Sequence, residues 1–149
     1  MAKKEIHHFE NFSIIRAGVD IELDMKRIED NFNKAQFALD SAIMTSMEPY
    51  MPMDTSSMIS RTKAESAALA GTGKVIAAVP PYGRFLYEGK VMVGERSKSA
   101  WAKKAERKIA TGRNLHYSRP SAKAHWFDVA KNKDGDKWVK LVRDTAGGK

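Results

Sequence analysis

The sequence contains no cysteine, so the chain can form neither disulfide bonds nor thiolate metal sites. It also has no run of about 18 apolar residues, and we therefore expect no membrane span and no membrane partner. No apolar segment follows the first lysines, so we expect no signal peptide. The lack of cysteine favours a cytosolic or virion-type protein over a disulfide-stabilised secreted one.

Acidic residues are scarce in the second half of the chain. Residues 1–95 carry 11 Lys and Arg against 13 Asp and Glu, whereas residues 96–149 carry 15 against 5, which together give the net charge of +8. A basic half beside a slightly acidic half is typical of a subunit that binds nucleic acid or packs against acidic neighbours. The alternative is a solvated basic face without a specific partner.

The 149 residues fit a single domain of the α+β class. We expect residues 1–18 to be a mobile tail and Val19–Leu23 to form a half-exposed strand, because apolar and acidic residues alternate there. Three- and four-residue spacing then predicts a long amphipathic helix, with Asp24 as its N-cap and Pro49 ending it. Its apolar stripe must be covered by a sheet or by another subunit, and we expect a small antiparallel sheet. The stripe would supply the core residues Met25, Ile28, Phe32 and Leu39.

The expected sheet comes from the next part of the helix-plus-sheet region, 19–93. "SSMISRT" reads as a strand, "KAESAALAGTG" is either helix or turn, and "KVIAAV" (74–79) is the clearest strand. Two or three strands that follow one another without a crossover helix between them predict an antiparallel sheet. "YGRFLYEG" reads as extended chain or a short helix. The core residues expected here are Val75, Ile76, Val79 and Phe85.

Residues 94–121 form a basic arm, which is either a basic helix or a long functional loop. Its candidate contacts to a neighbouring protein or to DNA are Arg96, Lys98, Trp101, Lys103, Lys104, Arg107, Lys108 and Arg113. Residues 122–145 then predict a C-terminal helix, interrupted or kinked at "NKDGD", with Trp126, Phe127 and Trp138 in the core. We expect residues 146–149 to be a frayed end.

No motif in the sequence predicts catalysis or a cofactor. "AGTGKV" lacks the first glycine and the final Ser or Thr of a phosphate-binding loop, since Ala68 and Val75 stand there. "DVAKNKDGDKWV" has Lys133 where a calcium loop requires glycine. His116 and His125 could pair with Asp128, but no nucleophile motif accompanies them. His7 and His8 lack a third metal ligand. We therefore expect no enzyme activity, no cofactor and no metal.

Four short motifs, in a fixed order over residues 19–143, resemble the minor capsid or head–tail joining proteins of tailed phages, which are related to tail-completion proteins. The long helix leads into "YMPMDTSSM", strands follow, and "PPYGRFLYEGKVM" precedes a helix that opens with "WFDVAK". Ser56 stands where that family usually has glycine, and Gly83 stands where it usually has alanine. The residues that carry the resemblance are Tyr50, Pro52, Asp54, Thr55, Tyr82, Tyr87, Gly89, Lys90, Trp126, Phe127, Ala130, Lys131 and Trp138.

The resemblance implies a structural subunit of the neck of a tailed phage, made in the host cytoplasm and built into the virion between portal and tail. It implies a homo-oligomeric ring, with a hexameric ring the expected form, between the head-closure and tail-terminator rings. The aromatic segment would then lie at a subunit interface formed by Tyr82, Arg84, Tyr87, Glu88 and Lys90. One alternative is that its aromatics are internal core. Another is that the protein is a sequence-neutral nucleic-acid-binding module, with tryptophans among its cations.

Overall fold

The computed structural model describes residues 6–54 and 56–147, and it confirms the α+β class. Thr55 and the ends of the predicted tail and frayed segment, residues 1–5 and 148–149, lie outside the described residues. The described part of the chain contains two separate two-stranded antiparallel sheets, β1–β2 and β3–β4. The strands and α-helices in chain order are β1 (Phe12–Arg16), β2 (Val19–Leu23), α1 (Lys26–Met47), α2 (Ser57–Leu69), α3 (Gly83–Glu88), β3 (Lys90–Gly94), β4 (Lys108–Asn114) and α4 (Trp126–Ala146). A short 3₁₀ helix, Glu48–Tyr50, follows α1 directly.

The prediction of a mobile tail over residues 1–18 is wrong for its described part. Residues 12–16 form β1, which pairs with the predicted strand β2 in a hairpin. Ala17 and Gly18 join the strands, both with positive φ (54° and 77°). Two positive φ values in a two-residue connection match the twist of a hairpin.

Residues before β1 are held against the first half of α1. The backbone N–H of His7 donates to Asn33 Oδ1 at 3.0 Å, and Asn33 Nδ2 donates to the His7 carbonyl at 2.9 Å. The Phe9 N–H donates to the Glu29 carboxylate at 3.1 Å, which lowers the pKa of Glu29. The rings of His7 and Phe9 lie 5.8 Å and 5.5 Å from that of Phe32. Hydrogen bonds and ring contacts therefore fix this segment.

The apolar stripe of α1 is covered mainly by α4, and not by a sheet as expected. Where the two helices meet, Trp126 and Met47 are fully buried, and Trp138 is 8% exposed. Two core predictions from the first half of α1 are wrong, because Ile28 and Phe32 are each 38% exposed. The core lies beside the second half of α1, and its buried members are Met44, Met47, Met51, Ile59, Trp126, Ala130 and Trp138.

The remaining core predictions differ in outcome. Val79 is buried, at 2% exposure. Leu39, Val75 and Phe127 are partly buried and pack against the cluster. Met25, Ile76 and Phe85 are half-buried.

The predicted strand "SSMISRT" is wrong, because this segment begins helix α2. The buried face of α2 consists of Ile59, Thr62 and Ser66, at helical spacing. The turn after α2 is held by Asp40 of α1, which is 3% exposed. Its carboxylate accepts hydrogen bonds from the Gly71 and Gly73 N–H groups at 2.8 Å and 3.0 Å.

The predicted strand 74–79 is also wrong, because its described residues pair with no other strand. Side chains satisfy its backbone instead. Ser66 Oγ donates to the Ile76 carbonyl and accepts from the Ile76 N–H, both at 3.1 Å. Trp126 Nε1 donates to the Ala77 carbonyl at 2.9 Å. Buried backbone groups need partners, and here two helices provide them.

The C-terminal helix is confirmed, but the predicted kink is wrong. Helix α4 runs without interruption through Gly135 to Ala146, so the predicted frayed end is still helical at residue 146. Burial of Ala130 and Trp138 on both sides of the "NKDGD" segment holds it in the helix.

Candidate docking surfaces

The basic arm is not a helix, and of the two alternatives its first part is a long loop. Residues 95–107 connect β3 to β4, and β4 itself lies within the predicted arm. The Glu95 N–H donates to the Arg107 carbonyl at 2.9 Å, and the Gly94 N–H donates to the Ser99 carbonyl at 2.8 Å. The long connection is therefore closed at its base by backbone hydrogen bonds.

A single carboxylate orders the middle of this connection. Glu106 Oε1 accepts hydrogen bonds from the Arg96 and Ser97 N–H groups at 2.8 Å and 2.6 Å. Glu106 Oε2 accepts one from the Lys103 N–H at 2.9 Å. The backbone donors of Ser97 and Lys103 have the largest effect on Glu106 and lower its pKa from 4.5 to about 2. The Glu106 carboxylate therefore holds the loop in one conformation through its backbone N–H groups. The lysine and arginine side chains of the loop take no part in these bonds.

The predicted arm cations lie mostly in solvent. Trp101, an aromatic residue of the same arm, is 87% exposed. Lys108 is half-buried, and its Nζ donates to the Ala100 carbonyl at 2.9 Å and lies 5.7 Å from the Phe85 ring centre. The exposed cations are Arg96, Lys98, Lys103, Lys104, Arg107 and Arg113.

The stretch from 115 to 125 runs back over the body of the protein. Tyr117 Oη donates to the Leu86 carbonyl at 2.6 Å, and Ser121 Oγ donates to the Pro49 carbonyl at 2.8 Å. The Arg119 guanidinium donates to the Glu48 carbonyl at 3.2 Å, beyond the end of α1. These contacts separate the exposed loop 95–107 from a fixed return segment.

The aromatic residues of the predicted subunit interface differ in exposure. Tyr82 is 66% exposed and borders a cleft with Pro52 and Tyr117, so its ring is accessible to a neighbour. Tyr87 instead packs edge-on against Trp126, with ring centres 4.8 Å apart. Burial raises the pKa of Tyr87.

The charged members of the predicted interface stand beside these aromatics. Arg84 is exposed, and Glu88 Oε2 lies 3.9 Å from His125 Nε2. Lys90 Nζ donates to Asn114 Oδ1 across the β3–β4 hairpin. Arg84 and Tyr82 therefore form the more accessible part of this predicted surface.

The β1–β2 hairpin was not predicted as a functional surface. All ten of its strand residues are exposed. Each residue projects to the same face as its cross-strand partner, and successive pairs alternate between the two faces. One face therefore carries five apolar side chains together with Arg16, and the acidic Asp20 and Glu22 lie on the other. The exposures of the apolar side chains range from 39% to 58%, and they are Phe12, Ile14, Val19, Ile21 and Leu23.

An apolar groove between α1 and α4 is a second surface that the sequence analysis missed. Trp138 and Phe127 stack at its base, with ring centres 6.3 Å apart. Val139 on its rim is 58% exposed, and Lys131 also borders it. The apolar side chains that line it are Leu39, Ile43, Phe127, Trp138, Val139 and Val142.

Within residues 6–54 and 56–147, no group of three or more His, Asp or Glu side chains could hold a metal ion. No helix of that same part of the chain is long and apolar enough to cross a membrane. No family model matches the sequence, no curated protein matches it, and no solved structure matches the fold.

Proposed function

We propose that this protein is a structural subunit of the head–tail connector, or neck, of a tailed bacteriophage. In this proposal it forms a homo-oligomeric ring that joins the head-closure ring to the tail-terminator ring. The proposal rests on the four sequence motifs together with the surfaces described above. The observation that carries it is the combination of a two-helix body with an exposed apolar hairpin and an ordered basic arm.

Three of the motif residues, Tyr50, Tyr87 and Trp126, support a structural role because they contact neighbouring parts of one junction of the body. The Lys123 N–H donates to the Tyr50 carbonyl at 3.0 Å, and the His125 N–H donates to the Tyr87 carbonyl at 2.9 Å. Trp126 lies between Tyr87 and residues 74–79. Motifs far apart in sequence thus build one scaffold.

The basic arm is suited to binding an acidic neighbour. Residues 94–121 carry eight Lys and Arg against two Asp and Glu. One of the two acids, Glu106, is engaged with the backbone of the loop itself. Rigid presentation of cations reduces the entropy lost on docking and favours electrostatic steering.

A paired charge reversal tests the function of the arm. Lys103→Glu/Lys104→Glu should leave the fold and thermal unfolding unchanged, because both side chains are exposed. Heads and tails should then fail to join in a complementation assay. Lys34→Glu/Lys74→Glu makes the same change in net charge at two other exposed lysines and should support normal joining. Normal joining by the arm variant would contradict the proposal.

Sequence-neutral binding of nucleic acid is the second candidate function. It is favoured by one observation, the 87% exposure of Trp101 beside several cations, since an exposed ring can stack on a base. Affinity for single-stranded DNA should then fall linearly on a log–log plot against salt concentration. Trp101→Ala should weaken it by roughly 1–3 kcal/mol. Equal affinity of the Trp101→Ala variant would remove this candidate.

A further inference from the structure

The exposed loop 95–107 folds around a cavity that is lined by three cations. The volume of the cavity is about 500 Å³, which is in the range of sites that bind small ligands. Both sides of the loop contribute to it, and its lining residues are Arg96, Ser97, Lys103, Lys104, Ala105 and Glu106. Three cations and one glutamate give this lining a formal net charge of +2.

The three cations of the cavity have no anionic partner within residues 6–54 and 56–147. The ion pairs in that part of the chain involve none of Arg96, Lys103 and Lys104. The carboxylate of the cavity itself, Glu106, is occupied by backbone N–H groups of the loop. Several unpaired cations around one cavity raise the local potential and attract an anion. The lining is therefore suited to an anionic ligand.

The backbone around this cavity is held in a conformation that is uncommon for its residues. Lys98 and Ala105 have positive φ angles of 54° and 63°, which residues with side chains rarely adopt. A Cβ at Gly94 would lie 2.6 Å from the Glu106 carboxylate carbon, so only glycine allows the carboxylate to come this close. Strained residues persist where the surrounding structure fixes them, and they cluster at binding sites. The strain supports a fixed cavity and not a loosely held loop.

We propose that this cavity, the anion pocket, binds a pair of carboxylates in an acidic segment of the neighbouring protein. Two carboxylates balance the +2 charge of its lining. The planar guanidinium of Arg96 matches one carboxylate through two parallel N–H···O bonds, and the ammonium groups of Lys103 and Lys104 match the other as point charges. The inference deepens the proposed function, and it rests on that proposal for the identity of the neighbour.

An acidic peptide fits the anion pocket better than a nucleic acid does. Proteins that bind single strands without sequence preference follow the backbone with a charged groove and stack the bases on aromatic rings. The pocket is formed by two short segments, 96–97 and 103–106, and none of the described residues that line it is aromatic. Trp101 belongs to the same loop but not to this lining. The pocket thus offers charge and forked donors without a ring on which a base could stack.

Glu106 is an acid that favours the binding of an anion at this site. It is a positioning residue, because its carboxylate bonds the N–H groups of Arg96 and Lys103 and so fixes the backbone that carries two of the cations. Removal of its charge makes the pocket more basic but releases these N–H groups. A fixed pocket therefore predicts weaker binding after this change. Diffuse attraction to a basic loop predicts tighter binding.

Fluorescence anisotropy with a labelled hexaglutamate peptide and the purified chain separates these two cases. Glu106→Gln should raise the dissociation constant by about fivefold or more, because the pocket is no longer preorganised. The matched control is Glu95→Gln, which removes an equal charge from an exposed side chain outside the lining. The control should bind as tightly as the wild-type chain or more tightly. Equal or tighter binding by Glu106→Gln would overturn the fixed pocket.

A second exchange tests the forked donor. Arg96→Lys keeps the charge but cannot make two parallel bonds, so it should raise the dissociation constant by about fivefold. Arg113→Lys makes the same exchange at an exposed arginine of β4 outside the pocket and should change nothing. Equal affinity of the two arginine variants would overturn the assignment of Arg96.

The Arg96 side chain also gives a spectroscopic readout that does not depend on the stability of the loop. Its Nε–H resonance, identified by its loss in Arg96→Lys, should shift when the hexaglutamate peptide is added. The shift should be lost in Glu106→Gln, although that variant retains Arg96. An Arg96 resonance that the peptide does not move in the wild-type chain would overturn the pocket.

Two further outcomes separate the class of ligand and the proposed function. A thymidine oligonucleotide of equal charge should bind more weakly than the peptide, and equal or tighter binding would overturn the choice of an acidic peptide. A chain that binds neither probe would overturn the pocket and leave the neck function to be tested in virions. A chain that binds the peptide through Arg96 but is absent from virions would overturn the neck function and support the pocket.

Discussion

The Glu106 Oε1 atom lies 2.6 Å from the backbone nitrogen of Ser97 and joins the two sides of the basic loop. The same side chain also accepts bonds from the Arg96 and Lys103 N–H groups. An acidic residue therefore orders the most basic part of the chain. All three of its bonds come from backbone N–H groups and none from a cationic side chain. The surrounding cations are left available to a partner.

The order of this loop should depend on pH. The pKa of Glu106 is lowered from 4.5 to about 2 by backbone hydrogen bonds to its charged form. Its contribution to loop order is therefore complete above pH 4.5 and is lost as pH falls through about 2. The Ser97 amide proton shift, followed by NMR, should titrate with a midpoint near 2. A midpoint near 4.5 would show that these bonds do not hold in solution.

Removal of the charge should loosen the loop without unfolding the protein. Glu106→Gln retains one acceptor oxygen and replaces the other by an amide that cannot accept, so at least one backbone donor loses its partner. Trypsin should cleave after Lys103 and Lys104 several-fold faster, while thermal unfolding changes little. Glu95→Gln removes an equal charge from the same segment and should leave the cleavage rate unchanged. Equal rates for both variants would contradict the role assigned to Glu106.

The two tryptophans Trp126 and Trp101 should differ sharply in their effect on stability. Trp126 is fully buried and donates to the Ala77 carbonyl, so Trp126→Ala should lower the free energy of unfolding by about 3–5 kcal/mol. Trp101→Ala should change it by no more than about 0.5 kcal/mol, because the side chain is 87% exposed. Urea unfolding measures both. A similar loss for the two variants would contradict the described packing.

Asp40 should be required for the turn after α2. Asp40→Ala leaves the Gly71 and Gly73 N–H groups without their acceptor and should cost about 1–3 kcal/mol. In Asp40→Asn the remaining carbonyl oxygen can still accept hydrogen bonds from both glycine N–H groups. The new NH2 group can donate to the Gln36 side-chain oxygen once the Gln36 amide flips. This variant should therefore lose less stability than Asp40→Ala. Equal losses in chemical denaturation would show that the carboxylate charge matters more than the acceptor geometry.

Sequence patterns were most informative for α1 and α4. Their long apolar stripes predicted helices over nearly the observed ranges, Lys26–Met47 and Trp126–Ala146. The first half of α2 was predicted as a strand, whereas helix was one of the two alternatives for residues 63–73, and residues 63–69 adopt it. The wrong half arises because the buried face of α2 carries Thr62 and Ser66 as well as Ile59. A helical period carried by hydroxyl side chains does not appear in a pattern of apolar residues.

The error at residues 74–79 has a different cause. Their apolar run satisfies a strand pattern, but its backbone partners are the side chains of Ser66 and Trp126. Sequence periodicity reports burial and not the identity of a hydrogen-bond partner. The hairpin β1–β2 was missed because Ile14 and Ile15 are adjacent, which breaks the alternation, and because Ala17 is an unusual first residue for its turn.

Of the candidate surfaces, the exposed cations and Trp101 could be identified from composition, whereas the groove could not. The groove exists only because α1 and α4 pack together, and its lining comes from residues that each look like core. Composition also could not distinguish Tyr82, which is exposed, from Tyr87, which packs on Trp126.

Two glycine-to-alanine changes should have opposite effects. A Cβ at Gly83 would lie 2.8 Å from the Ala78 Cβ and 3.0 Å from the Ala78 carbonyl carbon, so Gly83→Ala should destabilise by about 1–3 kcal/mol. A Cβ at Gly135 would meet nothing within 4 Å, and Gly135→Ala should stabilise helix α4 by about 0.5–1 kcal/mol. Thermal unfolding compares the two. A neutral Gly83→Ala would mean that the approach of α3 to Ala78 is looser than described.

The decisive test of the neck function is the position and copy number of this chain in purified virions. Cryo-EM of the head–tail junction gives both quantities in one map. A neck subunit should appear there as a closed ring of copies between the portal and the tail, with the loop 95–107 in contact with a neighbouring protein. Absence of the chain from the particle would contradict the proposed neck function and would favour the nucleic-acid-binding alternative.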